Sequence, residues 1–435
     1  MKKLKIGIAT LGCKVNQYES ALLAQQLYSK QYSIVPFGSV ADIYIVNTCT
    51  VTAHADLQSR QLIRRALNNN KRAKIIVTGC YAQISPDDIP QSNGHIIILD
   101  NKQKNIIPQI IENDKDDFLL KSNKNIPGTF DHVPLNKFMG HTRAFLKIQD
   151  GCDSYCSYCI IPYARGEKKS LPPEMAINSI NNFIAHGYHE IVVTGIHLGA
   201  YGQDLSPKTN LSALLEKITT VTSAVRFRLS SIEPQEITGD ILKLLKLNDI
   251  FCPHLHIPLQ SGDDNILRLM KRKYDSSFYR NLIEKITTSL DNISIGVDVM
   301  VGFPGEGDKE FENTYRLLQN LPVAYLHVFP YSERPLTAAS KLSPKIPDKI
   351  KKERAFLLRE LSAKKRETFA SRFLGRKLLV LVEKSKDKKT GFFKGFSENY
   401  IPVLLTNGNN SSVNNIVPVI ADKYDNGKLY GKTIS

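Results

Sequence analysis

The segment Gly151-Cys152-Asp153-Ser154-Tyr155-Cys156-Ser157-Tyr158-Cys159 places three cysteines in one short stretch, spaced CxxxCxxC. A structural zinc site takes four ligands, commonly two separated cysteine pairs or a mixture of cysteine and histidine. This segment has no histidine, and Asp153 is its one acidic side chain. Three thiolates instead match three corners of a four-iron cluster and leave the fourth iron open to an exchangeable ligand. The pattern therefore indicates a reactive iron–sulfur site.

The triplet follows the first strand of a long series of alternating strands and helices. Apolar runs predict six strands, at Ala144–Gln149, Glu190–Gly195, Arg226–Ser231, His254–Leu259, Ile293–Gly302 and Tyr325–Tyr331. Helical patterns separate them, among them Pro173–His186, Leu211–Thr219, Asp240–Lys246 and Phe311–Leu321. Six such units predict an α/β fold, a partial (β/α)6 barrel whose chemistry lies at the carboxyl ends of its strands.

Three more cysteines, Cys13, Cys49 and Cys80, each follow an apolar run near the start of the chain. The pattern predicts strands at Lys5–Leu11, Asp42–Val46, Lys74–Thr78 and Ile96–Leu99, with helices at Asn16–Lys30 and Ala55–Asn68. This alternation is typical of a parallel sheet, and ligands of such sheets collect at the carboxyl ends of the strands. We therefore expect the three cysteines to meet at one edge; the alternative is three unrelated buried cysteines.

The C-terminal region is strongly basic. The chain carries a net charge of +16, and residues 341–435 contain 21 Lys and Arg against 9 Asp and Glu. A long helix is predicted at Pro347–Phe373, followed beyond Gly375 by short strands typical of a small β-barrel or sandwich, at Lys377–Glu383, Phe392–Phe396, Tyr400–Leu405 and Asn415–Ile420. Such a charge suggests a nucleic-acid partner, although a solvated basic surface would give the same count.

Within this region basic and aromatic residues are interleaved. Lys384, Lys386, Lys388 and Lys389 precede Phe392-Phe393-Lys394 and Tyr400. Cations can anchor phosphates while aromatic rings stack on unpaired bases, so the segment is interpreted as an RNA-binding surface. The alternative is a solvated hairpin over an aromatic core.

Bulk composition narrows the class of protein. The seven cysteines are an odd number in a 435-residue chain, which argues against a secreted disulfide framework; Cys252 is interpreted as a buried apolar residue. No apolar run approaches the roughly 20 residues of a membrane span, and the start has no signal-peptide pattern, so we expect a cytoplasmic protein.

Residues 112–137 are polar and interpreted as a linker, which predicts domains at 1–115, 138–370 and 371–435.

Nearly the whole chain resembles the methylthiotransferase family of radical S-adenosylmethionine enzymes. The matching segments are Thr10-Leu11-Gly12-Cys13-Lys14-Val15-Asn16-Gln17, Asn47-Thr48-Cys49-Thr50-Val51-Thr52, Thr78-Gly79-Cys80-Tyr81-Ala82-Gln83 and residues 151–166 with Ile161-Pro162-Tyr163-Ala164-Arg165-Gly166. The first two look most like the branch that acts on threonylcarbamoyladenosine in tRNA. The isopentenyladenosine branch usually shows Cys-Gln-Met-Asn at the first site, and the branch acting on a ribosomal protein Cys-Pro-Lys-Asn.

This resemblance implies two [4Fe–4S] clusters and S-adenosylmethionine (SAM) as cofactors. Cys152, Cys156 and Cys159 would hold the cluster that binds SAM and generates a 5′-deoxyadenosyl radical. An auxiliary cluster, which carries the sulfur, would be held by Cys13, Cys49 and Cys80. The implied reaction adds a methylthio group to C2 of adenosine 37, next to the tRNA anticodon. The resemblance also implies a C-terminal RNA-binding TRAM-like β-domain, an electron donor such as flavodoxin or ferredoxin, and no membrane partner; we expect a monomer.

Residues at the ends of the predicted barrel strands are candidates for SAM contacts: Thr194, Gly195, Ser230, Glu233, Gln260 and Gly302. Each is equally compatible with an ordinary turn after a strand. His197 could be a core histidine, and Arg165 could bind a phosphate or carboxylate or form a salt bridge at the base of the triplet loop.

Two alternatives to the threonylcarbamoyladenosine reaction remain open. One keeps the chemistry but acts on isopentenyladenosine in tRNA or on a ribosomal protein. The other is a non-catalytic RNA-binding protein braced by metal, which is opposed by the lack of a fourth ligand in either cysteine set.

Overall fold

A computed structural model describes residues 3–28, 31–90, 96–113, 134–138, 140–221 and 225–434. The chain divides into two compact units. Unit 1 comprises residues 1–137, 149–171 and 332–340, and unit 2 comprises residues 138–148, 172–331 and 341–435. Most of the predicted linker at 112–137 lies outside the described residues.

Unit 1 is built on a five-stranded parallel sheet in the order β2-β1-β3-β4-β5. Its strands are β1 Leu4–Thr10, β2 Tyr32–Val35, β3 Ile43–Thr48, β4 Lys74–Gly79 and β5 Ile96–Ile98. The helices are α1 Lys14–Leu27, α2 Ala53–Asn69, α3 Cys80–Ile84 and α4 Ile107–Asn113. Apolar clusters cover the sheet, so all six residues of β3 are buried. The predicted parallel sheet is confirmed, with the edge strand β2 added.

Unit 1 also contains the segment that carries the cysteine triplet. A short antiparallel pair, β7 Gln149–Asp150 and β8 Lys169–Ser170, closes its base. Between these strands lie the three cysteines and a short helix, α5 Ile161–Arg165. Its second residue is a proline. The sequence pattern did not predict this helix, because five residues are too few to show a period.

Six parallel strands of unit 2 form the partial barrel that the sequence predicts. One sheet has the order β10-β9-β6 and the other β11-β12-β13, with single bridges joining β10 to the chain around β11. The strands are β6 Ala144–Lys147, β9 Glu190–Thr194, β10 Arg226–Leu229, β11 His254–His256, β12 Ser294–Val301 and β13 Tyr325–Pro330.

Seven helices of unit 2 accompany these strands. They are α6 Pro173–Ala185, α7 Leu211–Thr219, α8 Gly239–Leu247, α9 Asp264–Leu269, α10 Ser276–Ser289, α11 Asp308–Asn320 and the 24-residue α12 Asp348–Ser371. Asp275 caps α10 by accepting from the backbone N–H of Phe278 at 2.7 Å, and Asn210 caps α7 through Ala213 at 2.9 Å. No helix in the described ranges has the length and apolarity needed to cross a bilayer.

The last 60 residues form a closed five-stranded barrel in the order β14-β15-β16-β18-β17. Its strands are β14 Lys377–Lys386, β15 Phe393–Ser397, β16 Pro402–Leu405, β17 Ile416–Asp425 and β18 Lys428–Thr433. The sequence pattern predicted four of these and missed β18. Phe369 and Phe373, at the end of α12, belong to the same apolar core as the barrel, so helix and barrel are packed together.

Candidate active site

The three dispersed cysteines follow three neighbouring strands of the unit 1 sheet. Strands β1, β3 and β4 end at Thr10, Thr48 and Gly79, and each cysteine follows within three residues. Cys49 and Cys80 are buried, whereas Cys13 is exposed and occupies the N-cap position of α1. Because the strands are parallel and adjacent, their carboxyl ends lie at one edge of the sheet. The predicted meeting of these cysteines therefore agrees with the topology.

Two glycines make this close approach possible. Gly12 has φ +92°, and a Cβ at this position would lie 2.8 Å from the Sγ atom of Cys49. Gly79 has φ +97°, and a Cβ there would lie 2.4 Å from the carbonyl oxygen of Thr48. Both contacts are shorter than any side chain tolerates, and L-residues rarely adopt this backbone conformation. The glycines directly before Cys13 and Cys80 are therefore required by local geometry.

Asn16 fastens the first two cysteine loops to each other. Its Nδ2 atom donates to the carbonyl oxygens of Leu11 at 2.7 Å and of Thr48 at 3.0 Å. Asn47 in turn donates to the carbonyl oxygen of Asn16 at 3.1 Å and to Ser20 at 3.0 Å. These amides are buried, so each bond satisfies a group that water does not reach. The loops that carry Cys13 and Cys49 are therefore held in place by hydrogen bonds within the protein.

The thiol of Cys49 is strongly affected by its surroundings. Burial raises its pKa to about 11, and the nearby Cys80 and Cys13 add to this effect. An isolated thiol here would stay protonated at neutral pH, and a bound metal would have to displace the proton, as metals do with thiol ligands. The mutual electrostatic influence of the three sulfur atoms places them in one neighbourhood.

The triplet loop is shaped by backbone hydrogen bonds. The N–H of Cys152 donates to the carbonyl oxygen of Gly166 at 3.0 Å, and that of Cys159 donates to Cys156 at 2.9 Å. All three cysteines are half-buried. Asp153, considered as a fourth ligand from the sequence, forms an ion pair with Lys168 at 2.8 Å. The loop thus presents three cysteine sulfurs, while Asp153 has a cationic partner of its own.

Arg165 lies at the base of this loop in a buried polar cluster. Its guanidinium contacts Asp150 at 3.0 Å, Glu19 at 2.7 Å and the side-chain oxygen of Asn16. Only 2% of the side chain is exposed. Although burial opposes the charge, the two carboxylates hold the pKa of Arg165 well above its usual value. Of the two interpretations drawn from the sequence, the salt bridge is confirmed.

A second buried ion pair in unit 1 was missed by sequence reasoning. Arg334 contacts Asp56 at 2.5 Å and the hydroxyl of Thr50 at 2.7 Å, and Thr50 itself donates to Asp56 at 2.7 Å. Thr50 directly follows Cys49, so this triad fixes the chain next to that cysteine. The partners lie 278 positions apart, a separation at which the sequence pattern carries no signal.

In unit 2, the predicted SAM contacts lie at successive strand ends. Thr194 ends β9 and is buried, with Gly195 directly after it. Ser230 follows β10; its N–H donates to Val193 at 3.0 Å, and its buried hydroxyl finds no hydrogen-bond partner among the described residues. His197, further along the β9 loop, contacts Glu236 at 2.6 Å. The sheet edge therefore offers an unsatisfied hydroxyl where a ligand is predicted.

Gln260 and Gly302 both have positive φ values, +69° and +73°. The N–H of Gln260 donates to the carbonyl oxygen of Asp298 at 2.9 Å, which holds the turn after β11 against β12. The N–H of Gly302 donates at 2.7 Å to Glu306, a buried carboxylate paired with Arg354 at 2.8 Å. Both turns are rigid features of the strand ends.

Glu233 differs from the other candidates because its carboxylate already contacts Arg272. Burial raises the pKa of Glu233, although Arg272 opposes the shift. A hydrogen bond from a ribose would therefore add to this ion pair or compete with it.

Cys252 is buried, as predicted, and burial raises its pKa to about 11. It lies near a charged layer in which Glu190 pairs with Arg226 at 2.7 Å and Arg228 at 2.9 Å. Both arginines also donate to backbone carbonyls of the C-terminal barrel, at Leu379 and Glu398 among others.

One of the aromatic residues proposed to stack on RNA bases requires correction, because Phe393 is buried in the core of the C-terminal barrel. Tyr400 stacks on Phe396 with ring centroids 4.8 Å apart, and Phe392 is half-buried. Phe393 therefore supports the barrel, which is the alternative weighed from the sequence, whereas a contact of Phe392 or Tyr400 with RNA stays a prediction. Lys388 and Lys389 are exposed and can still contact phosphates.

The donor sets fit iron–sulfur clusters better than single ions. Ligands of one zinc ion lie about 2.3 Å from the metal when they are thiolates, which brings their sulfurs within about 4 Å of one another. In the part of the chain that the structure describes, which includes all seven cysteines, neither set of three is among the groups whose ligand atoms lie close enough together to hold one metal ion. Three cysteines suit three corners of a four-iron cluster.

Comparisons with known proteins agree with this description. Residues 5–99 match the model of uncharacterized protein family UPF0004, and residues 146–318 match the radical SAM superfamily. The threonylcarbamoyladenosine tRNA methylthiotransferase MtaB of Aquifex aeolicus is 37% identical over 410 residues, covering 92% of this chain and 96% of its own. The corresponding protein of Bacillus subtilis is 36% identical over 419 residues, covering 95% and 93%.

A more distant relative is the tRNA-2-methylthio-N(6)-dimethylallyladenosine synthase of Clostridium botulinum, 31% identical over 83% of each chain. Among solved structures, the radical SAM methyltransferase TsrM from Kitasatospora setae superposes with a TM-score of 0.55 at 12% identity, covering 78% of this chain and 77% of that one. This likeness concerns the fold alone.

The fold and the CxxxCxxC loop define a radical SAM enzyme, a class that uses SAM and a [4Fe–4S] cluster. With the additional N-terminal domain and its three cysteines, the chain belongs to the MtaB-type family of radical SAM methylthiotransferases.

Proposed function

We propose that this enzyme adds a methylthio group to C2 of N6-threonylcarbamoyladenosine at position 37 of tRNA. The observation that carries the proposal is the likeness to five MtaB proteins at 34–37% identity over at least 91% of the chain. The dimethylallyladenosine synthases match at 31% over 83%. The Cys-Lys-Val-Asn-Gln segment beginning at Cys13 favours the same branch.

We assign one cluster to each set of cysteines. Cys152, Cys156 and Cys159 hold the [4Fe–4S] cluster that binds SAM, and the set at the unit 1 sheet edge, Cys13, Cys49 and Cys80, holds the auxiliary cluster. When bound, these groups supply the radical, the methyl group and the sulfur. The protein contributes fixed loops: Gly12 and Gly79 allow the close approach, and Asn16 joins the strand ends.

The strand ends of unit 2 are assigned to the SAM molecule. Thr194 and Gly195 would contact its methionine end, and Ser230 and Gln260 its ribose. Support comes from the buried Ser230 hydroxyl, which lacks a partner among the described residues and would gain one from a ribose. Gly302 begins a turn that is fixed by Glu306 and provides a surface for adenine. Glu233 completes the set by sharing its carboxylate between Arg272 and the ribose.

The C-terminal barrel is assigned to tRNA binding through exposed lysines, among them Lys384, Lys388 and Lys389. Phosphate contacts of this kind position a nucleic acid without reading its sequence. Reduction of the SAM-binding cluster requires an electron donor such as flavodoxin or ferredoxin.

The proposal is tested by incubating the anaerobically reconstituted enzyme with tRNA that carries threonylcarbamoyladenosine, dimethylallyladenosine or unmodified adenosine at position 37. Mass spectrometry of the nucleosides should show a methylthio product from the first tRNA. In parallel, deoxyadenosine formation reports SAM cleavage. Cys152→Ala should abolish both readouts, whereas Cys49→Ala should keep SAM cleavage and lose the methylthio product.

Cys252→Ala is the matched control, because this cysteine is buried and belongs to neither set; it should retain both activities. Conversion of dimethylallyladenosine alone would show that the substrate assignment is wrong. Equal loss of both readouts in Cys49→Ala, with Cys252→Ala active, would contradict separate roles for the two sets.

A further inference from the structure

Two histidines and an aspartate meet on one face of the unit 2 sheet, outside every group assigned above. His256 is the last residue of β11, Asp298 lies in β12, and His327 is paired directly with Asp298 in β13. The Nε2 atom of His256 is 2.8 Å from Oδ1 of Asp298, and Nδ1 of His327 is 3.3 Å from the same oxygen. The two imidazole rings lie 5.0 Å apart.

The register shows which face of the sheet this cluster occupies. His256 is paired with Gly296, two residues before Asp298, so their side chains point the same way. The intervening residues Val297 and Val299 point to the other face and are fully buried. The cluster therefore lies on the face opposite these two valines. His256 ends β11, and in a βα barrel the carboxyl ends of the strands are where substrates bind.

Exposure increases along the cluster. The side chain of His256 is 11% exposed, that of Asp298 23% and that of His327 47%. Below the cluster, His254 and Tyr325 form a floor, with stacked rings and a 2.8 Å hydrogen bond. Two residues beyond His327 towards the strand end, Phe329 is 43% exposed on the same face. Of the three side chains in the cluster, that of His327 is therefore the most exposed, and it lies beside the accessible ring of Phe329.

The charge of Asp298 orients both rings. Burial favours its neutral form, but the neighbouring imidazoles of His256 and His327 outweigh this and hold the pKa of Asp298 well below its usual range. Nδ1 is the nitrogen of His327 that faces Asp298, at 3.3 Å, so this nitrogen is the donor in the contact. The remaining nitrogen, Nε2, is directed away from Asp298 and is available to a ligand.

We propose that His327 recognises the N6 substituent of the target adenosine by hydrogen bonding to its threonylcarbamoyl group, with Asp298 and His256 as positioning residues. This inference rests on the proposed function. A threonylcarbamoyl group carries a carboxylate, a hydroxyl and a urea, all of which form hydrogen bonds with an imidazole. A dimethylallyl group offers only carbon, and it would leave the polar ring unpaired. Sites built around such a hydrogen bond discriminate strongly against analogues that lack it.

The test measures affinity and discrimination rather than turnover alone. Dissociation constants are determined for the reconstituted enzyme with two anticodon stem-loop RNAs, identical except that one carries threonylcarbamoyladenosine and the other adenosine at position 37. We expect the wild type to bind the modified RNA more tightly. In His327→Ala, affinity for the modified RNA should fall at least tenfold while affinity for the unmodified RNA stays within twofold. His327→Phe, which keeps a ring but no hydrogen bond, should behave like His327→Ala.

His186→Ala is the matched control, because this exposed histidine at the end of α6 lies outside the cluster and its ring contacts the backbone oxygen of Asn182 at 2.8 Å. It should leave both affinities unchanged. Deoxyadenosine formation without RNA verifies that the His327 variants are folded and loaded. A His327→Ala enzyme that keeps full discrimination, or that loses affinity equally for both RNAs, would overturn the assignment of His327.

The same three ligand atoms lie within 4.8 Å of one another and could hold a divalent cation. Metal analysis of the wild type and His327→Ala decides this point. One equivalent of a metal beyond cluster iron, lost in the variant, would overturn substituent recognition; equal metal content supports it. Failure of the wild type to methylthiolate threonylcarbamoyladenosine would refute the proposed function instead, and this result is distinct because it appears before any variant is made.

Discussion

Replacing Arg165 by methionine should destabilise unit 1 by about 3–5 kcal/mol, the usual cost of removing one partner from a buried ion pair. The side chain is 2% exposed and contacts Asp150 at 3.0 Å and Glu19 at 2.7 Å. Glu19 keeps a second cation, Lys104, at 2.5 Å. Asp150, in contrast, loses its guanidinium, so most of the cost arises from this carboxylate.

The measurement is urea denaturation of the anaerobic enzyme followed by circular dichroism. With a denaturant slope of roughly 2 kcal/mol per molar, the first midpoint should fall by about 1.5–2.5 M. Arg316→Met is the matched control, since Arg316 also pairs with a glutamate, at 2.5 Å, but is 72% exposed. An exposed pair contributes about 0–1 kcal/mol, so the control should hardly change.

A second substitution separates charge from packing. Arg165→Met combined with Asp150→Asn removes the carboxylate that has lost its guanidinium and should recover about 1–2 kcal/mol relative to Arg165→Met alone. If Arg165→Met is no more destabilising than Arg316→Met, or if the Asp150 substitution makes it worse, then the argument from buried charge is refuted.

Three further predictions concern other parts of the molecule. Glu190 is buried between two arginines; burial raises its pKa, but the arginine charges outweigh this and lower it to about 2. The ionised Glu190 carboxylate therefore contributes its full stabilisation above about pH 4.5 and loses it as the pH falls towards 2. In thermal melting, Glu190→Gln should be less stable than the wild type at pH 7, and this difference should shrink in acid. Gly12→Ala should lower iron and sulfide content by displacing Cys49, because its Cβ would lie 2.8 Å from that sulfur; an unchanged content would contradict the steric argument. Lys388→Glu with Lys389→Glu should weaken tRNA binding and reduce the slope of log affinity against log salt by about 1–2; an unchanged slope would remove these lysines from the RNA contact.

Local patterns in the sequence were sufficient to predict most of the strands and to place the cysteines at strand ends. Each cysteine of the first set follows a strongly apolar strand, and buried parallel strands read as continuous apolar runs. The strands missed by the pattern, β2, β8 and β18, are short or partly exposed. Their pairing depends on neighbouring strands and not on their own composition.

The polar contacts could not be predicted, because their partners are distant in sequence. Arg165 and Glu19 are 146 positions apart, and Arg334 and Asp56 are 278 apart. The His256–Asp298–His327 cluster likewise depends on the register of three strands, which a strand pattern alone does not give. Near the C-terminus, successive side chains of β15 point to opposite faces, which places Phe393 in the barrel core. The lysines between the aromatic residues made the segment look exposed in the sequence.

The proposed site, with three cysteine ligands for each cluster, would place a particular demand on the surrounding chain. A fourth ligand would help to fix the loops through the metal itself; without it, the loop geometry must be set by contacts that exist before any cofactor binds. Asn16 meets this demand in unit 1: one buried side chain bonds the carbonyl oxygens of Leu11 and Thr48 and accepts a bond from Arg165. Because a carboxylate could not donate the first two bonds, an amide is the side chain that satisfies all three contacts at this position. The loops of Cys13 and Cys49 and the base of the triplet loop are therefore preorganised by hydrogen bonds that converge on one residue, three positions after Cys13.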